Sequence, residues 1–289
     1  MSKQGAKICM DKKNQSQPVF LLVMTASIYP SPDAQIERAD PAVRLEDYKH
    51  ALTYWLRSAD PRLTRILFLE NSGADLSPLR ELVNGANVLS KSVEFLSTTP
   101  VAIPEGVHYG WGELKMLDEA FSRSELVKQV THLIKVTGRF TFPGLTALLD
   151  HLPRNCEVMV DTRVTTSTEQ KSLQWLPPLS RRILSLFPAL LLRQRAYATT
   201  QLVIISTKAY NDLLLHTESL MKPGPMNKLE HLLFHQISGK SKADGVYLRF
   251  PVNCEPVGIG ARRGEDYSSS GKKLSAAARK IARRFGLWL

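Results

Sequence analysis

An α/β fold with a mainly parallel sheet flanked by helices is predicted by three observations. Short apolar runs alternate with segments of helical periodicity through the first half of the chain, as in βαβ units. The first run, VFLLVM at 19–24, is apolar throughout and reads as a strand buried on both faces. The chain has 289 residues, 43% of them hydrophobic, enough to bury a sizeable core in one large domain.

The elements follow in order. After the strand at 19–24, Leu45, Tyr48, Leu52, Trp55 and Leu56 recur at helical spacing. ILFL at 66–69 is a second strand ending in the turn ENSGAD, and Ser77-Pro78 supplies an N-cap and first helical position. VEFL at 93–96 is a third strand. Leu114, Leu117, Ala120 and Phe121 form the apolar stripe of the next helix, and 133–136 is a fourth strand. A helix near 145–152 and a strand at 157–161 complete the regular part. The second half predicts strands at 201–206 and 246–250, with helices at 208–216 and 227–237. The expected organisation is a polar extension at 1–17, a domain at 18–267 with halves at 18–152 and 153–267, and a tail at 268–289.

Composition narrows the partners. Lys and Arg number 38 against 27 Asp and Glu, a net charge of +11, so nucleic acid, nucleotide phosphates and an acidic membrane surface are the natural counterparts. Cys9, Cys156 and Cys254 are odd in number and far apart, which suits free, buried thiols in a reducing compartment. No targeting or spanning segment is expected: the run at 183–192 is broken by Pro188 and bracketed by arginines.

Ligands of open parallel sheets bind beyond the carboxyl ends of the strands. That rule selects Thr25, Ser27, Glu70, Asn71, Thr137, Gly138 and Arg139, with Lys135 inside the fourth strand. A lysine in a strand covered on both faces must reach water or meet an anion. Thr137, Gly138 and Arg139 add a hydroxyl, a close backbone approach and a guanidinium fork suited to phosphate.

The combination of MTASIYP, the Arg44/Tyr48 helix, FLENSG, VEFLS, HYGWGELKMLDEAF and IKVTGRF resembles bacterial GT-A type sugar transferases that build surface polysaccharides. The resemblance covers about the first half of the chain. It implies a nucleotide-sugar donor, with Thr25 and Ser27 bordering the nucleoside, Glu70 or Asn71 meeting its base or ribose, and the HYGWGE turn leading to the diphosphate. Many such enzymes carry Asp-x-Asp at the strand end where this chain reads Val136-Thr137-Gly138-Arg139. Lys135 and Arg139 are therefore expected to neutralise the diphosphate, with no metal or other cofactor expected; Asp161 is the nearby strand-end acid on which the alternative, a divalent metal, would rest. Inverters of this type place a base near the start of a helix in the acceptor half, which Glu230 in MNKLEHLLFHQI fits. Asp161 and Arg163 are the acceptor candidates. His231 and His235 share a helix face, but no third ligand stands at a usual zinc spacing.

GIGARRGEDYSSSGKK, 258–273, resembles a loop that closes on a diphosphate through Arg262 and Arg263. In the tail, Leu274, Ala278, Ile281, Phe285 and Trp288 fall within an arc of about 80°. Lys272, Lys273, Arg279, Lys280, Arg283 and Arg284 lie opposite, with no acid among them. The segment 272–288 is expected to meet an anionic membrane, placing the chain in the cytoplasm at the inner membrane face. Nucleic acid is the disfavoured partner, because the aromatics sit on the apolar face. The expected activity is inverting transfer from a nucleotide sugar to a glycan or lipid-linked acceptor. The alternatives are a non-catalytic nucleic-acid or phospholigand-binding protein and, third, a nucleotidyltransferase.

Overall fold

The computed structural model describes residues 17–31, 36–166, 194–224, 226–261 and 264–284. Its centre is a seven-stranded sheet of order β3-β2-β1-β4-β6-β5-β7. The strands are β1 (Phe20–Ala26), β2 (Arg65–Glu70), β3 (Ser92–Ser97), β4 (His132–Thr137), β5 (Val158–Thr166), β6 (Gln194–Ser206) and β7 (Val246–Tyr247). Only β6 runs against its neighbours, pairing antiparallel with both β4 and β5. The helices are α1 (Pro41–Arg57), α2 (Ser77–Ala86), α3 (Gly110–Arg123), α4 (Leu145–Asp150), α5 (Thr207–Leu213), α6 (Leu229–Ile237) and α7 (Ser270–Arg284). This is the mainly parallel, helix-flanked α/β architecture that the resemblance implied.

Alternation along the strands divides the core into two layers. Leu22, Met24 and Ala26 of β1 face α1, α2 and α4, where Tyr48, Leu52, Trp55, Leu79 and Leu148 are buried. Leu21 and Val23 face α3, α5 and α6, against Leu114, Leu117, Tyr210, Leu232 and Leu233. All seven residues of β1 are buried, which explains its continuous apolar sequence.

Local signals set the helix starts. Asp40 Oδ1 accepts from the amides of Ala42 and Val43, with Pro41 opening α1. Ser77 is the first residue of α2 rather than its cap, and Asp75 takes its amide instead. The later elements shift from their expected bounds. β5 and β6 extend past the core, through Thr166 and from Gln194, because they continue to pair with each other. β7 stops at Tyr247, ahead of Pro251, which has no amide hydrogen for a ladder. Cys156 and Cys254 are free and buried, and burial pushes both thiols up to about 12. Cys9 and the run at 183–192 lie outside the described residues, as does nearly all of the polar extension. No described helix is long and apolar enough to cross a membrane.

Trp55 is the largest fully buried side chain among the described residues, and its indole nitrogen has no partner, so its ring holds α1 to the sheet by apolar contact. Trp55→Ala is expected to lower the unfolding free energy by about 3–5 kcal/mol, read from urea midpoints.

Candidate functional site

From β1 the chain steps outward to β2 and β3, then returns to the other side of β1 as β4, so the sheet has a switch point between β1 and β4. Crevices at such points are where open α/β sheets take ligands. A cleft of about 1030 Å³ opens there, running from the ends of β1 and β2 across to α6, the start of β6 and the loop around Tyr267.

The candidates divide by whether they reach this cleft. Thr25, Ser27, Asn71, Thr137, Arg139, Arg163 and Glu230 line it; Lys135, Glu70, Gly138 and Asp161 do not. Lys135, expected to reach a diphosphate, is committed beneath the floor. Its Nζ meets Glu113 Oε1 at 2.5 Å and the Thr200 carbonyl at 2.5 Å, and Thr25 Oγ1 donates to the same Glu113 oxygen at 2.8 Å. A buried cation thus found its anion inside the protein. Glu70 is likewise consumed. Its carboxylate accepts from the amides of Ile28, Ser72 and Ala74 and from the Ser72 hydroxyl, bracing the loops after β1 and β2. Gly138 is needed for strand contact, since a Cβ there would stand 2.7 Å from the Thr25 carbonyl oxygen. Asp161 sits behind Arg163, accepting from its Nε at 3.1 Å, while Glu255 takes the other arm at 3.4 Å. Arg163 is thereby held at the cleft wall. Arg262 and Arg263 lie outside the described residues.

Two cationic residues of the cleft, Arg44 and Lys228, are not among the residues the sequence marks as sites; Lys228 stands beside Glu230. Arg44 continues the buried face of α1 one turn before Tyr48; a charged residue in a helix's apolar stripe was the available signal. Its guanidinium donates to the carbonyls of Ser27 (2.7 Å) and Arg38 (3.1 Å) and to the Tyr48 hydroxyl (3.1 Å). Burial lowers its proton affinity, and the nearby charge of Arg139 adds to the lowering against the opposing effect of Tyr48. Arg139 donates Nε to the Ile259 carbonyl at 3.1 Å and lies against the Phe140 ring. Neither arginine is ion-paired with a carboxylate among the described residues. Two neighbouring guanidiniums held by neutral oxygens leave net positive charge facing the cleft, which suits an anion.

The opposite wall is carboxylate. Glu230 lies in the first turn of α6, and its Oε2 is enclosed without a hydrogen-bond partner. Burial raises its pKa above the ordinary glutamate value, and Glu113 nearby adds to this, while Lys135 and Lys228 oppose it. Its place depends on Gly110. A Cβ there would stand 2.8 Å from the Leu229 Cβ, so only glycine lets the start of α3 close on the start of α6. The His108 amide then donates to the Asn227 carbonyl at 2.9 Å, tying the two turns together. Glu113, one turn into α3, is another residue that the sequence does not single out.

Among the described residues, Asp118, His216 and Glu218 bring their ligand atoms within 4.8 Å of one another. Lys115 pairs with Glu218 at 2.9 Å, and Tyr210 donates to Asp118 at 2.6 Å, so the group is served by the protein itself.

The raised pKa of Glu230 has a signed consequence. Above the ordinary glutamate value the native state keeps a proton that the unfolded chain has released. Stability contributed by this group therefore falls as pH rises from that value through the raised one. Glu230→Gln is expected to flatten that slope, measured as urea stability of the two proteins across pH 4 to 8, a window of about four units.

No family model matches the chain, and no curated protein matches it by sequence. Among solved structures it is similar to HddC from Yersinia pseudotuberculosis complexed with GMP-PN, at 11% identity and a TM-score of 0.40, over 91% of this chain and 100% of that one. It is also similar to mouse xyloside xylosyltransferase 1, at 8% identity and a TM-score of 0.38, over 79% of this chain and 83% of the other. The mannosyltransferase Ktr4p from S. cerevisiae is similar at 8% identity and a TM-score of 0.37, over 77% of this chain and 61% of that one. Likenesses of this depth do not extend to activity.

Proposed function

We propose that the chain is a glycosyltransferase that moves a sugar from a nucleotide-activated donor to a glycan or lipid-linked glycan acceptor in surface polysaccharide synthesis. The observation that carries the reading is the pairing of Arg44 and Arg139, neither of them ion-paired among the described residues, with an enclosed carboxylate, Glu230, across one cleft. The arginines bind the donor diphosphate, and Thr25, Ser27 and Asn71 lie at the strand ends where the nucleoside enters. Arg163, braced by Asp161, orients the acceptor.

The chemistry is a single displacement with inversion. The acceptor hydroxyl oxygen forms a bond to the anomeric carbon as the bond to the nucleoside diphosphate breaks. Glu230 takes the hydroxyl proton, and the leaving diphosphate carries its electron pair towards Arg44 and Arg139. A carboxylate with a raised proton affinity is a better base near neutral pH than an ordinary glutamate. Paired guanidiniums in a sheltered cleft stabilise charge developing on the leaving group, the task a divalent cation performs elsewhere.

Calorimetry with a panel of nucleoside diphosphates tests the donor site. Arg139→Ala is expected to weaken binding by about 1.5–3 kcal/mol with the fold intact. Unchanged affinity would remove the arginine pair from the donor site. The transfer step is tested separately, with nucleotide sugars and a glycan acceptor in excess chelator. Turnover is expected to persist there, and Glu230→Gln to reduce it about a hundredfold with diphosphate binding retained. Loss of turnover on chelation, restored by magnesium or manganese, would overturn the metal-free reading; saturable binding without any transfer would favour a phospholigand-binding protein.

A further inference from the structure

We propose that α7 docks the protein on an anionic phospholipid surface through an outward-facing stripe of Leu274, Ala278 and Ile281. These residues follow at spacings of four and three and form one face of the helix. In an amphipathic helix packed on its own domain such a stripe is covered. Here it is not: Leu274 is 71% and Ile281 59% exposed, and Ala278 is exposed with them, while Ala276, on the far side of the helix, is buried. The helix meets the domain at Ala276, which falls among its basic positions, and turns Leu274 and Ile281 to solvent.

Charge selects the occupant of this face. Lys273 and Lys280 are both exposed, and each follows the helical advance to a position about 100° round from the neighbouring stripe residue. Long lysine stems at that angle lie along an interface with their ammonium groups among the headgroups. From 268 to the end of the sequence there are six basic residues and no acid, so the complement is an extended negative surface. A nucleic acid would use the charges and leave the apolar stripe in water. A second copy of the chain would cover the stripe and set two like-charged helices against each other. An anionic membrane serves both. Phe285 and Trp288, the next apolar residues at helical spacing in the sequence, lie outside the described residues.

The helix is joined to the cleft. Lys272 pairs with Glu265 at 2.6 Å and lies over the Tyr267 ring at 5.1 Å, and both Glu265 and Tyr267 line the cleft. Tyr267 also takes a hydrogen bond from Gln201 of β6 at 2.9 Å. Docking of α7 therefore holds one wall of the cleft close to the membrane. The docking is independent of which reaction the cleft performs, and it is read without any turnover.

The experiment is co-sedimentation of the full chain with vesicles of phosphatidylcholine alone and of phosphatidylcholine with phosphatidylglycerol. Binding is expected to the mixed vesicles at low salt, to be weak on phosphatidylcholine alone, and to weaken as salt rises towards about 0.5 M. Leu274→Ser with Ile281→Ser, and separately Lys273→Glu with Lys280→Glu, each reduce binding by about tenfold or more. All four positions are exposed, and circular dichroism checks that the fold survives. Absence of binding to the mixed vesicles at low salt overturns the proposal, as does wild-type binding by the Leu274→Ser, Ile281→Ser protein. A concentration-dependent dimer that this variant dissociates, with no vesicle binding by the parent chain, overturns it in favour of a second copy.

Discussion

The site rests on one buried ion pair. Glu113 Oε1 receives Lys135 Nζ at 2.5 Å and Thr25 Oγ1 at 2.8 Å, so α3, β4 and β1 meet at a single carboxylate oxygen, and β6 joins them through the Thr200 carbonyl, which accepts from Lys135. Desolvating two charges is costly, and a pair of this kind is tolerated only when the remaining hydrogen-bonding capacity is also met. The pair does little for stability compared with an apolar filling of the same volume. Its effect is positional: four elements from distant parts of the chain are brought into one register directly below the cleft.

What stands above that floor inherits its placement. β1 and β4 end side by side because Gly138 lets the chain after β4 pass close to Thr25, and Arg139 follows at the rim. On the other side Gly110 brings α3 against α6 and sets Glu230 near Glu113. Glu113 adds to the raised pKa of Glu230, and Lys135 below opposes that effect. The cleft is therefore polarised, with guanidinium at the switch point of the sheet and carboxylate at the helix turns. Each half depends on a glycine where two backbones nearly touch.

Much of the fold was legible in the sequence because its signals are local. Continuous apolar runs marked β1, β2 and β4, and helical spacing of Tyr48, Leu52 and Trp55 marked α1. The site was legible only in part. Position after a strand picks out Thr25, Ser27, Asn71, Thr137 and Arg139, all of which line the cleft, because strand ends and cleft coincide at a switch point. The reading of Lys135 was sound in its premise, that a buried cation needs an anion. Its partner lies 22 positions earlier on a helix, and no spacing rule connects Glu113 to a strand. Glu70 does not line the cleft, for the related reason that backbone amides compete with ligands for a carboxylate, and loop geometry decides the winner. Arg44 is hard to read from sequence because it stands within the apolar stripe of α1, where the helical spacing reports only burial.

The long β5–β6 ribbon has a consequence for cooperativity. The register of β5 against β6 shifts between Val160 and Thr162, and beyond it residues 163–166 pair only with 194–197 in the described ladders. Among the described residues no third strand pairs with that outer part, whereas the inner part is locked between β4 and β7. Its amide protons are free to exchange by opening of the ribbon alone, while those of β1 and β4 await global unfolding. The outer ribbon is therefore expected to open ahead of the rest of the sheet, and the register shift that bounds it falls beside Arg163, at the edge of the cleft.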